Sequence, residues 1–451
     1  MKPVKPRQRI ALRTPVPGPR SRALAARERE VMAPGLQGFA QMAGIVVDTA
    51  RGCEITDVDG NVLLDIIGGI GVNALGHGHP AWVAAVRRQA TMASIGSFTS
   101  EPRIDLLSRL AAHRPAPDLY RTQLYSSGAE AVESALRLAK CATGKWEIVS
   151  FRGGFHGKTL GALSLMGSDA KQGFGPLAAG SHVVPYADCY RCPLALKYPS
   201  CGLACVDAAR EQLKQHSQGA IAAFIVEPVQ GTAGNVRPPD EWLQAIARLA
   251  REFDALLIAD EMITGFGRTG TYWGIQHSDI RPDIVTIGKQ FGGGFPISGV
   301  MARETIIDAK PWANPSGSSS SYGGNPLAAA AAAATLKAID DDGLVANARD
   351  VGGYFLRRLE PFTDRYSFVG KVGGIGLLIG IELVEDKATR AALAPDAARE
   401  LFLRLLQHGL LTMAYSASFR IQPPLSIDEA TVDEAVAVLE TVFDEFALGR
   451  S

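Results

Sequence analysis

Short runs of consecutive apolar residues that stop abruptly at polar ones recur through the middle of the chain. Ile221–Val226 leads into Glu227 and Pro228, residues 255–259 into Asp260 and Glu261, and Ile284–Ile287 into Gly288 and Lys289. Unbroken apolar runs of this length predict strands buried on both faces, as in a parallel sheet. Between the first two, Trp242, Ile246, Leu249 and Ala250 recur at helical spacing behind Pro238 and Pro239, which predicts a helix. Strand alternating with helix predicts an α/β domain with right-handed crossovers. In such sheets ligands sit at the carboxyl ends of the strands, where these runs turn polar.

The last third has a different pattern. Residues 328–334 are Ala-rich and predict a helix, and the Gly-rich residues 372–383 predict a strand pair. A final helix is expected behind the capping pattern Ser426-x-x-Glu429, with an apolar stripe at Val432, Val436, Leu439, Val442, Phe443 and Phe446. The expected division is an N-terminal arm and part of a small domain at 1–75, a large domain at 76–327, and the remaining small α+β domain at 328–451.

Composition narrows the function classes. The 451 residues are 47% apolar, enough for a large core, and 46 basic residues balance 46 acidic ones. Zero net charge gives no reason to expect nucleic acid or an anionic membrane as partner. The basic N-terminal residues Lys2, Lys5, Arg7, Arg9, Arg13, Arg20 and Arg22 are followed by no apolar stretch. With no such stretch, and no run of the roughly 18 apolar residues a span needs, a cytoplasmic enzyme is expected. Cys53 and Cys141 are isolated, while Cys189, Cys192, Cys201 and Cys205 form Cys-x2-Cys-x8-Cys-x3-Cys. That spacing admits a tetrahedral zinc. The alternative is a packed Pro-rich loop around Tyr190, Leu194, Leu196 and Tyr198, which is preferred, so no metal ligand is assigned.

The chemistry-bearing positions fall at the predicted strand ends. Ser126, Ser127, Gly128, Ala129 and Glu130 open a helix with an apolar face at Val132, Ala135, Leu136 and Ala139. Ser127 and Glu130 fit a capping box. Gly128 lets a ligand approach, and a helix N-terminus favours phosphate. Read alone, this is a well-capped helix. Asp260 and Glu261 end a dry strand and need a cationic or hydrogen-bonding partner. Either Arg268 supplies it in a structural ion pair, or a protonated pyridine nitrogen does. Lys289, before Gly292, Gly293 and Gly294, is either a surface lysine or a desolvated nucleophilic amine. Phe155 offers a face for a flat ring beside His156, and Glu227 ends another strand.

Taken in order, these stretches resemble class III aminotransferases dependent on pyridoxal 5'-phosphate (PLP). The resemblance also rests on residues 75–80 (Leu-Gly-His-Gly-His-Pro), 265–270 (Gly-Phe-Gly-Arg-Thr-Gly), 322–326 (Tyr-Gly-Gly-Asn-Pro) and 420–424 (Arg-Ile-Gln-Pro-Pro). It implies fold type I, with a large parallel-sheet domain, a smaller α+β domain and a homodimer or dimer of dimers. It further implies Lys289 as Schiff-base lysine and proton shuttle, Asp260 on the pyridine nitrogen, and Ser127, Gly128 and Ala129 at the phosphate. Phe155 and Met262 would flank the ring, with His156 and Glu227 beside the cofactor. Ser321 would reach the partner subunit's phosphate, and Arg420 would receive a substrate carboxylate. Ile70, with Ile67, Val72 and Phe155, suggests an apolar pocket wall.

Two departures bear on substrate. Ile263 stands where many members have glutamine, and Thr232 where ornithine-type members have glutamate. Residues 17–22 (Pro-Gly-Pro-Arg-Ser-Arg), residues 57–60 (Asp-Val-Asp-Gly) and the cysteine insert look most like 4-aminobutyrate aminotransferase-like members, a branch that includes racemases. The expected reaction moves an amino group from an amine or ω-amino acid to a 2-oxo acid such as pyruvate or 2-oxoglutarate. Amino-acid racemisation is the alternative. Dialkylglycine decarboxylation ranks below it because Ile70 replaces a glutamine, and a non-catalytic zinc- or nucleotide-binding protein ranks lowest.

Overall fold

The computed structural model describes residues 8–450, so Lys2, Lys5 and Arg7 lie outside the described residues. The chain divides into two compact units, Pro80–Ala346 and a second made from the segments on either side of it.

The larger unit carries a seven-stranded sheet. Its strands are β1 (Arg121–Tyr125), β2 (Glu147–Phe151), β3 (Ser181–Val184), β4 (Ile221–Val226), β5 (Leu256–Asp260), β6 (Ile284–Ile287) and β7 (Ser298–Ala302). They lie in the order β1-β7-β6-β5-β4-β2-β3. All contacts from β6 to β3 are parallel, whereas β7 runs antiparallel to both β6 and β1. The apolar runs are therefore the central strands, and each is buried along its length except Leu256. Helices α1 (Gly128–Thr143), α2 (Leu160–Ser164), α3 (Asp240–Glu252) and α4 (Pro326–Asp341) connect or follow the strands. Val132, Ala135, Leu136 and Ala139 of α1 share one core cluster with Ile225, Ile258, Ile284 and Val300. Burying a side chain such as Val132 contributes about 1.5–3 kcal/mol. Trp242, Ile246, Leu249 and Ala250 are likewise the buried face of α3.

Helix α4 belongs to this larger unit. The expected domain division places it in the small domain, from residue 328. Instead the Ala-rich surface, buried at Ala328 to Ala333, packs on helices Pro80–Ala90 and Glu101–Ala112. Small side chains let these helices approach closely.

The second unit holds two small sheets. Strands Val47–Arg51, Glu54–Asp57 and Val62–Asp65 are antiparallel, and Leu410–Leu411 joins them parallel to the last. Strands Val369–Ile375, Leu378–Asp386, Ala391–Ala392 and Ser418–Ile421 form an antiparallel sheet with Val372 opposite Ile381. The last helix, Glu429–Leu448, is capped by Asp428, whose carboxylate accepts the Thr431 N–H at 2.7 Å. This corrects the expected cap at Ser426, whose hydroxyl donates to the Leu75 carbonyl at 2.9 Å. No helix among the described residues is long and apolar enough to cross a membrane.

Candidate active site

The site begins where β1 turns into α1. Ser127 is extended, and its hydroxyl accepts the Glu130 N–H at 3.2 Å. The Glu130 carboxylate turns back to the Ser126 N–H at 2.9 Å, one residue before the position a capping box requires. Neither Gly128 nor Ala129 donates its N–H to another hydrogen bond among the described residues. Two donors and the positive end of the helix dipole thus remain for an anion. A β-carbon at Gly128 would lie 3.1 Å from Met262 Sδ, so glycine lets this turn pass close to Met262.

Asp260, at the end of β5, is 1% exposed. One carboxylate oxygen pairs with His156 Nδ1 at 2.7 Å. The other accepts the Met262 N–H and the Thr286 hydroxyl, each at 3.1 Å. Burial alone would lower the His156 pKa, but the hydrogen bond to Asp260 and the charges of Asp260 and Glu227 raise it overall. His156 is thereby held toward its cationic form between two carboxylates.

Glu227, at the end of β4, accepts the Phe155 N–H at 2.8 Å and the Gly231 N–H at 3.0 Å. Burial raises its pKa against the attraction of His156, and the Asp260 charge raises it further. It therefore anchors the loop that bears the half-buried Phe155 and the buried His156. Glu261 serves a separate structural set: the Thr264 hydroxyl, the Gly274 N–H at 2.9 Å and the Ile275 N–H at 2.8 Å. Burial outweighs these donors and pushes its pKa up to about 7.

Lys289 opens a short 3-10 turn, Lys289–Gly292, at the end of β6. It is half-buried, and its φ of 45° is in the left-handed region, a strained conformation for a lysine. Such strain concentrates at functional sites. Next to it, Gln290 donates to the Ile263 carbonyl at 3.2 Å, and Arg268 Nε donates to Gln290 Oε1 at 3.5 Å. Burial lowers the Arg268 pKa to about 9. Sequence reasoning missed Thr286 and Gln290, because nothing in their spacing marks a residue that fixes another.

An amine, a buried carboxylate, an aromatic, a thioether and two unused backbone donors thus follow the carboxyl ends of β1, β2, β5 and β6 in one sheet. This donor set fits PLP: a carbonyl carbon to bond the amine, a ring nitrogen for the carboxylate and a phosphate for the helix N-terminus.

Ser321 lies exposed on the loop before α4, followed by Tyr322 at 74% exposure. Ile70 and Arg420 belong to the second unit. Residues Gly68, Gly69, Ile70 and Gly71 are all left-handed, with φ of 51°, 64°, 63° and 70°. A β-branched residue is costly there. In the same unit the Gln422 N–H donates to the Ile66 carbonyl at 2.8 Å, tying this turn to the strand of Arg420. Arg420 is 7% exposed, with Nη2 3.5 Å from the Tyr415 hydroxyl. The cysteines Cys189, Cys192, Cys201 and Cys205 line one cavity of about 20 Å³ with Leu194, Leu196 and Tyr198. Among the described residues no group of three or more His, Cys, Asp or Glu side chains is disposed to hold a metal ion.

Residues 37–443 match the family described as aminotransferase class-III. The chain is 34% identical to a leucine/methionine racemase of Thermococcus litoralis, covering 90% of this chain and 92% of that one. It is 33% identical to the 4-aminobutyrate aminotransferase of Escherichia coli, covering 91% and 96%. Its fold is similar to a PLP-bound amine transaminase from an uncultivated Pseudomonas species, with a TM-score of 0.86, 29% identity and coverage of 92% and 98%.

Proposed function

The chain belongs to the class III aminotransferase family, and we propose that it moves an amino group from an amine or ω-amino acid of the 4-aminobutyrate type to a 2-oxo acid such as pyruvate or 2-oxoglutarate. The observation that carries this reading is Lys289 at the end of β6 beside Asp260 at the end of β5, with the open first turn of α1 nearby in the same unit.

Bound PLP supplies an electron sink for the bonds at the substrate carbon. The protein's own residues set the rest. Lys289 would be the base that removes the proton from the substrate carbon and the acid that returns it on the far side of the amino nitrogen, two atoms along, in a 1,3 shift. Asp260 keeps the ring nitrogen protonated. His156 and Thr286 fix its orientation. Ser127, Gly128 and Ala129 bind the phosphate, and Phe155 and Met262 hold the ring between them and exclude water. Arg420 receives a substrate carboxylate through its guanidinium fork. Ile70 supplies an apolar wall. Ser321 serves the phosphate of the partner in a homodimer, and the enzyme acts in the cytoplasm.

A second reading is amino-acid racemisation, favoured by the racemase relative, which is as similar as the aminotransferase. There Lys289 would exchange the proton on one face of the substrate carbon, and a proton returned to that same carbon from the opposite face would invert it. The test is a panel of amines and amino acids, scored for alanine or glutamate formed from pyruvate or 2-oxoglutarate. Transfer that requires a 2-oxo acid is expected. Inversion of a chiral amino acid with no 2-oxo acid present selects the second reading, and activity that survives Lys289→Ala rejects both.

A further inference from the structure

Glu133, in the second turn of α1, takes no part in the function proposed above. Its Oε1 accepts the Thr159 hydroxyl at 2.6 Å, the Gly161 N–H at 2.8 Å and the Ala162 N–H at 3.0 Å. Thr159 is the N-cap of α2 and makes no side-chain cap bond of its own. Glu133 therefore caps α2 from a different helix, satisfying two first-turn N–H groups that have no partner within α2. A β-carbon at Gly161 would collide with both Glu133 carboxylate oxygens, so glycine is what lets the carboxylate come this close.

Residues 155–162 run between two carboxylates. At one end Glu227 holds the Phe155 N–H at 2.8 Å; at the other, Glu133 holds residues 159–162. Between them Gly157 rests on the first turn of α1, where a β-carbon would lie 2.8 Å from Ala129 Cβ.

We infer that Glu133 is a positioning residue: by tying α2 to α1, it holds the loop of Phe155 and His156 against the same helix turn that binds the cofactor's phosphate. One helix then sets both the phosphate position and the ring-stacking face. This rests on the PLP reading of the site.

The experiment reconstitutes the full-length apoenzyme with PLP. Glu133→Ala should raise the PLP dissociation constant by about tenfold or more, the loss expected for hydrogen bonds to a charged group. It should also weaken the visible circular dichroism of the bound cofactor. Glu133→Gln keeps the Oε1 acceptor and should stay within about threefold of wild type. A purely structural cap would lower the melting temperatures of apoenzyme and holoenzyme equally. A positioning role shrinks the increment that PLP adds. Gly161→Ala attacks the same contact from the other side, so the double variant should be no weaker than either single one. It also carries the test if Glu133→Ala fails to fold. Wild-type affinity and increment in both single variants would overturn the inference. If the wild-type protein itself did not bind PLP, the reading beneath it would fall instead.

Discussion

The two ends of the seven-stranded sheet treat the same residue type in opposite ways. Glu147 begins β2 at the amino end of the parallel strands and is 2% exposed. It accepts the Ser217 hydroxyl at 2.6 Å, the Gln218 and Ala220 N–H groups at 3.0 Å each, and pairs with His182 at 2.9 Å. Burial works against its charge, but these donors win and hold its pKa down to about 2. At the carboxyl ends Glu227 and Glu261 are also buried and bonded, yet their pKa values are raised. Burial opposes the charge at all three, and two causes separate the ends: the four donors that converge on Glu147, and the Asp260 charge acting on both Glu227 and Glu261. The amino end closes its electrostatics internally. At the carboxyl ends Asp260 repels Glu227 and Glu261, and His156, held toward its cationic form, offsets part of that repulsion at Glu227.

That contrast can be broken most forcefully at Lys289. Lys289→Ala should lower turnover by about 10^4-fold, the upper range for losing an acid–base group, while leaving the melting temperature of the cofactor-free protein nearly unchanged. Steady-state kinetics beside a thermal melt checks both halves.

Asp260→Asn should come next. It keeps the shape and removes the charge, and a loss of about 10^2- to 10^3-fold is expected, with weaker retention of PLP through gel filtration. Undiminished turnover would separate Asp260 from the cofactor's electronics.

Glu147→Gln reverses the pattern. It should cost about 1–3 kcal/mol in denaturant unfolding and leave turnover within about twofold of wild type. A large loss of activity would mean that the amino end is not merely structural.

The smallest effect is the pH dependence of stability. A lowered carboxylate pKa contributes stability above the unfolded value, near 4.5, that is lost as pH falls toward about 2. Glu147→Gln should flatten that acid limb. Glu261 has the opposite sign: its raised pKa makes ionisation costly, so stability falls as pH rises from about 4.5 through about 7. Glu261→Gln should flatten that window in urea midpoints measured from pH 4 to 8.

The sheet was legible because strands β4, β5 and β6 are buried on both faces and read as unbroken apolar runs. Lys289 and Asp260 were legible because polar residues ending such runs stand out. Strand β7 carried no signal: it is five residues long, follows three glycines and returns antiparallel, a topology set by pairing rather than by local pattern. The cap at Asp428 was missed because Ser426 matched the same motif two residues earlier, and only the tertiary bond to Leu75 diverts it. Glu133 was invisible for a related reason. Its partners lie 26 to 29 residues away, and nothing local distinguishes it from a solvated glutamate on a helix.

The split unit has a consequence for synthesis on the ribosome. Besides the bonds that the first segment makes within itself, several of its described residues pair with the last part of the chain: Leu75 bonds Ser426 across 351 positions, and the Arg9 N–H bonds Glu434 across 425. The larger unit lies wholly between these segments, so it can complete its contacts while the first segment still waits for the last. The larger unit is therefore expected to finish folding before the first segment completes its contacts with the last one. A nascent chain stalled after residue 346 should protect the large unit from protease while leaving the first segment open to cleavage.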